Sequence, residues 1–118
     1  MKRLFGILLF AVFVFSVHSA YAISGNDLIL GMRVYLKSEA DYTKADFLLA
    51  GNYLGYVQGV VEATASDYSL PNDITADEMC RIVAKFLERH PQRWKEPAPN
   101  LIRNALQEAY PVYILRNK

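Results

Sequence analysis

The stretch TADEMCRIVAKFLERHP, residues 75–91, predicts the fold class more sharply than any other part of the chain. Thr75 and Glu78 form a capping box, in which the hydroxyl and the carboxylate each accept a hydrogen bond from an amide at a helix start. His90 and Pro91 end the helical pattern. Between them the apolar residues recur at helical spacing, namely Met79, Ile82, Val83, Phe86 and Leu87. We therefore expect a helix over about residues 76–89 that buries one face.

Three further segments show the same periodicity. They cover about residues 26–37, with Ser24 or Asn26 as the N-cap, about residues 44–65, and about residues 100–109. The segment 44–65 carries apolar residues on more than one side, which is typical of a central, well-buried helix. Since no stretch alternates as a strand does, the sequence predicts an all-α fold, a single small bundle of about four to five helices.

The first 22 residues have the organisation of a secretory signal peptide. Lys2 and Arg3 precede an apolar run over residues 4–17, and Ala20-Tyr21-Ala22 is a small-x-small cleavage site. The run is shorter than the roughly 20 residues of a bilayer span, so we favour cleavage over an uncleaved anchor. We expect residues 23–118 to form one periplasmic domain without stable membrane insertion.

Charge and cysteine content argue against a nucleic-acid partner and against an internal disulfide. With Lys2 and Arg3 removed, 11 basic side chains stand against 12 acidic ones, and neither sign is concentrated in one segment. Nucleic acid is therefore not an expected partner. Cys80 is the only cysteine, so no disulfide forms within the chain. We expect Cys80 to be buried as a small apolar residue.

The mature chain shows no recognisable catalytic or metal-binding motif. His90 is its only histidine, and a helix C-terminus favours a histidine for electrostatic reasons alone. No second histidine or cysteine lies at metal-ligand spacing. A carboxylate pair for glycoside cleavage remains an alternative if Glu62, Asp67 and Asp73 come together in space. We expect no enzymatic activity, no metal and no cofactor.

Gly51, Gly55 and Gly59 recur every fourth residue along the second predicted helix. Each glycine costs up to about 1 kcal/mol of helix propensity. A smooth stripe of this kind allows another helix backbone to approach closely, and Asn52 and Glu62 interrupt the apolar run too early for a membrane-embedded dimer. We expect the stripe to pack against a helix, by preference of the same chain and otherwise of a second copy.

Two loops are candidates for recognising a partner. The loop at residues 66–73 is rich in turn-forming residues and carries an aromatic residue, Tyr68, that we expect to be exposed. The loop at residues 92–99 is stiffened by prolines and carries Trp94, which either binds a partner or folds back to close the core. The candidate partner-binding residues are Tyr68, Ser69, Asn72 and Asp73 in the first loop, and Trp94 and Glu96 in the second.

Several segments together resemble the Tai/Rap family of type VI secretion immunity proteins. They are AGNYLGYVQGVVEA at 50–63, LP at 70–71, IT at 74–75, IVAKFLERHP at 82–91 and NALQEAYP at 104–111. The resemblance implies a small all-helical periplasmic protein, commonly a homodimer, that blocks the active-site groove of a peptidoglycan-cleaving amidase effector with a loop. Family members typically carry cysteines near the loop that corresponds to residues 66–73 and after the last helix. At these places this chain has Ser69 and Val112.

Two other functions remain open. One is an orphan envelope binding protein that has no cognate effector encoded beside it. The other is a periplasmic stress chaperone, which unfolds partly in mild acid and exposes apolar surface. A packed helical domain without an active site fits all three functions equally well.

Overall fold

The computed structural model describes residues 23–113, and this part of the chain contains four α-helices. They are α1 over Gly25–Tyr35, α2 over Lys44–Ala63, α3 over Ala76–Arg89 and α4 over Ala98–Ala109. Each connection contains a single 3₁₀ turn, at Glu39–Asp41, Ala65–Asp67 and Pro91–Arg93. Within residues 23–113 the fold is all-helical, as predicted, and the sole β feature is an isolated bridge between Ser24 and Pro97. The predicted signal peptide and residues 114–118 lie outside the described residues.

Three of these helices begin with a capping box. In α3 the Thr75 amide donates to the Glu78 carboxylate at 2.8 Å and the Glu78 amide donates to the Thr75 hydroxyl at 3.1 Å, as predicted. Ser24 caps α1 and Thr43 caps α2 in the same way. These two boxes were not predicted, because the third helical residue is an aspartate instead of the usual glutamate or glutamine.

Helix α4 starts two residues earlier than predicted. It begins at Ala98 after Pro97, and Pro99 lies in its first turn. A proline is tolerated there because the first amides of a helix have no partner within the helix. The amide of Ala98 donates instead to the carbonyl of Ile23 at 2.8 Å, which ties the start of α4 to the start of α1.

The core lies between the inner faces of the four helices. Buried side chains come from every helix, including Leu28 and Met32 of α1, Tyr53, Val57 and Val61 of α2, Val83 and Leu87 of α3, and Leu101, Ile102 and Leu106 of α4. The Tyr53 hydroxyl donates to the carbonyl of Cys80 at 2.8 Å, so this buried polar group is satisfied. Cys80 is fully buried, and burial raises the pKa of its thiol to about 11, so it acts as a small apolar residue, as expected.

Helix α2 is central, since it packs against each of the other three helices, but it is not the well-buried helix that the sequence predicts. One side of it faces the core, while Phe47 and Leu48 are 59% and 67% exposed. A Cβ atom built on any of the three stripe glycines meets no other part of the described chain within 4 Å. Within residues 23–113 the stripe therefore packs against no helix, contrary to the preferred prediction, because the other helices pack against the opposite side of α2. No helix in residues 23–113 has both the length and the apolar composition of a membrane span.

Gly25, by contrast, lies at a close contact. Its amide donates to the carbonyl of Glu96 at 3.0 Å, which brings the first turn of α1 against the α3–α4 connection. A Cβ atom at this position would lie 2.5 Å from the Leu101 side chain and 2.8 Å from the carbonyl oxygen of Trp94. Only a residue without a side chain fits here.

These two glycine environments predict opposite effects of the same substitution. The methyl group of Gly25→Ala would push the start of α1 away from the Trp94 backbone, so this substitution should lower the free energy of unfolding by about 2 kcal/mol. Gly51→Ala removes a poor helix former from open space and should raise it by about 0.5–1 kcal/mol. Urea unfolding followed by circular dichroism measures both changes, and equal effects of the two variants would contradict this packing.

Candidate functional site

The two predicted recognition loops lie at opposite ends of α3. One loop precedes this helix and the other follows it. Helix α3 has 14 residues, so it is about 21 Å long at 1.5 Å per residue. The loops therefore form two separate surfaces. Their contacts with the rest of the domain differ, and that difference indicates which surface is free to bind.

Trp94, in the loop after α3, closes the core. Its indole nitrogen donates to the carbonyl of Leu87 at 2.8 Å, and the Arg33 guanidinium lies 5.7 Å from the centre of its ring. Its own carbonyl accepts a hydrogen bond from the Asn26 amide at 2.8 Å. The Trp94 side chain therefore folds back onto the core, which is one of the two alternatives predicted for it.

Glu96 is also occupied within the domain. Both of its carboxylate oxygens accept hydrogen bonds from the Arg93 guanidinium, at 2.6 and 2.9 Å. This pairing holds the pKa of the Glu96 carboxyl below its usual range. The guanidinium in turn lies 5.3 Å from the centre of the Phe86 ring. Arg93 and Glu96 thus hold this loop in place.

Tyr68, in the loop before α3, is buried. It is 5% exposed, its hydroxyl shares a hydrogen bond with that of Thr64, and burial raises its pKa. The expectation of an exposed ring is wrong. Burial of the apolar ring is favourable, and the hydroxyl still has a hydrogen-bond partner, Thr64, next to the core. Tyr68 anchors the loop from inside the domain.

The next residues of the same loop face solvent. Ser69, Asn72 and Asp73 are exposed, and their side chains form no hydrogen bond or ion pair with other residues between 23 and 113. They present a hydroxyl, an amide and a carboxylate within five consecutive positions. These are short polar groups that can hydrogen-bond to a partner without losing an existing contact.

The start of this loop is held by two contacts, one with α4 and one with the residue that follows α4. The Ser69 amide donates to the carbonyl of Tyr110 at 3.0 Å, just beyond α4. Asp67 forms an ion pair of 3.3 Å with Arg103 of α4. Because the backbone is anchored while the polar side chains are free, a partner can bind with little loss of chain entropy. Residues 69–73, of which only Leu70 is partly buried against the core, are the candidate functional site, which we call the exposed loop.

Two of the three carboxylates considered for glycoside cleavage make ordinary surface contacts. Glu62 accepts a hydrogen bond from Gln58 at 3.3 Å, and Asp67 pairs with Arg103. His90 packs against Phe86, with ring centres 4.5 Å apart, at the end of α3. In residues 23–113, no three histidine, cysteine or acidic side chains cluster as metal ligands would.

A comparison with known families matches almost the whole described domain. The model for the family described as Rap1a immunity proteins matches residues 24–112. The matched range includes all four helices and both loops. No curated protein and no solved structure matches the chain significantly.

The contrast between Tyr68 and the exposed loop predicts a contrast in stability. Tyr68→Ala removes a buried ring and should lower the free energy of unfolding by about 3 kcal/mol. Asn72→Ala changes an exposed side chain without partners in the described residues and should change the free energy of unfolding by less than about 0.5 kcal/mol. Thermal and urea unfolding measure both. A stable Tyr68→Ala variant would show that this ring is not part of the core.

Proposed function

Since the chain belongs to the Rap1a immunity protein family, we propose that it binds and neutralises a toxic effector of a type VI secretion system in the periplasm. The effector that we propose is an amidase that cleaves peptidoglycan, as the resemblance to the Tai/Rap family implies. Neutralisation by binding requires no catalytic residue in the immunity protein. It requires a rigid surface that enters the substrate groove and excludes the peptide stem.

The exposed loop supports this proposal most directly. Its polar side chains are free while its backbone is anchored at Tyr68, at Tyr110 and through Asp67. In an amidase with a cysteine–histidine pair, a carboxylate such as that of Asp73 can pair with the histidine, and the Ser69 hydroxyl and Asn72 amide can occupy substrate hydrogen-bonding positions. We therefore assign effector binding to this loop first.

The loop that contains Trp94 and Glu96 is the second candidate. The side chains of Trp94 and Glu96 are already paired within the domain, so a partner would have to displace those contacts or bind around them. Breaking a contact of this kind reduces the net gain on binding. The prediction that Trp94 and Glu96 contact a partner is therefore kept as the alternative.

Capture of the effector followed by loop substitutions tests the assignment. The full chain with a C-terminal tag should retain one small amidase from a periplasmic extract at near-equal stoichiometry. Asn72→Ala and Asp73→Ala should each weaken that complex by about 2 kcal/mol, roughly 30-fold, if they are central contacts. Calorimetry with the purified pair measures the change, and Lys95→Ala, in the other loop, serves as the exposed control.

The outcomes separate the alternatives. Unchanged affinity in both loop variants, together with a loss in Glu96→Ala, would move the binding site to the other loop. Recovery of no specific protein would favour an orphan envelope binder. Recovery of many unrelated proteins at acid pH, with increased exposure of apolar surface, would favour a chaperone.

We also propose that two copies of the chain pack through Gly55 and Gly59. Both glycines are exposed, and the space beside them is open. Three glycines in an exposed helix lower its stability, and close approach of a second helix backbone offsets that cost. Because the described chain supplies no such helix, a second copy is the partner that we propose.

A bulky side chain on the stripe tests this dimer. Gly55→Leu should hold the two helices apart and convert a dimer to a monomer in sedimentation velocity, with little change in helix content. Glu88→Leu adds the same exposed leucine on α3 and should leave the mass unchanged. A monomeric parent protein at all concentrations, or a dimer that tolerates Gly55→Leu, would contradict the proposal.

A further inference from the structure

A small cleft lies between the end of α1, the following 3₁₀ turn and the start of α2. Its walls include Tyr35, Glu39, Tyr42, Phe47, Gly51 and Leu54. We call it the aromatic cleft. Its volume of about 220 Å³ is below the roughly 300–1,000 Å³ of a pocket for a drug-sized molecule, so it suits a single side chain.

The aromatic walls of this cleft are held in position. The Tyr42 hydroxyl donates to the carbonyl of Tyr35 at 3.0 Å. The rings of Tyr42 and Phe47 meet edge to face, with centres 5.1 Å apart. Tyr35 donates its hydroxyl hydrogen to the carboxylate of Asp77 in α3. The cleft is therefore formed before any ligand arrives, and Phe47 remains more than half exposed at its rim.

The charge of the cleft favours a cation. Glu39 is exposed and forms no ion pair with another residue in the described part of the chain. The nearby Lys37 is already paired with Asp46 at 3.5 Å. Aromatic faces are electronegative, so the rings and the carboxylate attract the same kind of ligand. An apolar occupant would cover the rings but would also take water from the unpaired carboxylate, which is unfavourable.

The position of the cleft connects it to the exposed loop. Tyr35, on its wall, bonds to Asp77 in the first turn of α3, and Asp77 is four residues beyond Asp73. The cleft and the loop therefore flank the same end of α3. A protein interface of ordinary size buries about 800 Å² on each partner, which is wide enough to include both.

We propose that the aromatic cleft binds one lysine or arginine side chain of the effector. This inference rests on the proposed function, because it names the chemistry of that partner beside the loop. The alkyl stem packs against Leu54 and the aromatic rings, and the cationic end lies near the Glu39 carboxylate. The contact adds specificity to the loop, since an effector without a cation at this position leaves Glu39 unpaired.

Titration with small analogues tests the cleft without the effector. The probes are Nα-acetyl-lysine-N-methylamide and the matching norleucine amide, which lacks the charge. The lysine analogue should shift the nuclear magnetic resonance signals of the Tyr35, Tyr42 and Phe47 rings and bind at least about fivefold more tightly than the norleucine analogue. Equal responses to both analogues, or no shifts at these rings, would overturn the cation site.

Substitutions locate the effect within the cleft. Glu39→Gln should remove the preference for the charged analogue, whereas Asp41→Asn, in the same 3₁₀ turn but outside the cleft, should retain it. Phe47→Leu keeps apolar surface and loses the ring face, so it should also reduce the preference. Equal losses in Glu39→Gln and Asp41→Asn would show a general charge effect and overturn the assignment.

The effector complex completes the test. Glu39→Gln should weaken it about tenfold, and Asp41→Asn should not. If no effector is captured while the analogues still discriminate, the proposed function fails and the cation site stands. If the effector binds Glu39→Gln with unchanged affinity, the inference alone fails. A loss of self-association in Glu39→Gln, with effector binding intact, would assign the cation to a second copy and overturn the proposal.

Discussion

Trp94 joins the end of α3 to the start of α1, through its indole on one side and its backbone carbonyl on the other, and the closed bundle depends on these contacts. One hydrogen bond runs from its ring nitrogen to Leu87, and another runs from the Asn26 amide to its carbonyl. Gly25 permits the approach because a side chain there would overlap Leu101 and the Trp94 backbone. In a domain of this size without an internal disulfide, such packing replaces the covalent link that small exported proteins often use.

The two ends of α3 consequently have different properties. At its C-terminal end, the side chains of Trp94 and Glu96 form hydrogen bonds within the domain. At its N-terminal end, the exposed loop offers unpaired polar groups above an anchored base, with the aromatic cleft beside it. Binding surfaces are commonly carried by loops on a rigid scaffold, and here the packed end supplies the rigidity. This separation is why we place effector binding at the N-terminal end.

Helix α2 explains how a small domain can carry more than one surface. Its inner side, with Tyr53, Val57 and Val61, completes the core, while Phe47 and the glycine stripe remain uncovered. The exposed side of such a helix contributes little to the folded state, and the glycines weaken it. Residues that lower stability without an internal role are typical of surfaces selected for binding. The proposed dimer contact and the aromatic cleft lie along this one helix.

The helices and the family can be predicted from the amino-acid sequence, because both depend on local patterns. A capping box joins residues three positions apart, and the limits of α3 at Ala76 and Arg89 follow from that box and from Pro91. The burial of Tyr68, the inward orientation of Trp94 and the open side of α2 become visible only in the packed domain. Those outcomes depend on residues far apart in the chain, such as Tyr35 and Asp77, which are separated by 42 positions. Helical periodicity shows which face of a helix is apolar but not how much of that face its neighbours cover, so the exposed loop and the cleft became recognisable only from the packed domain.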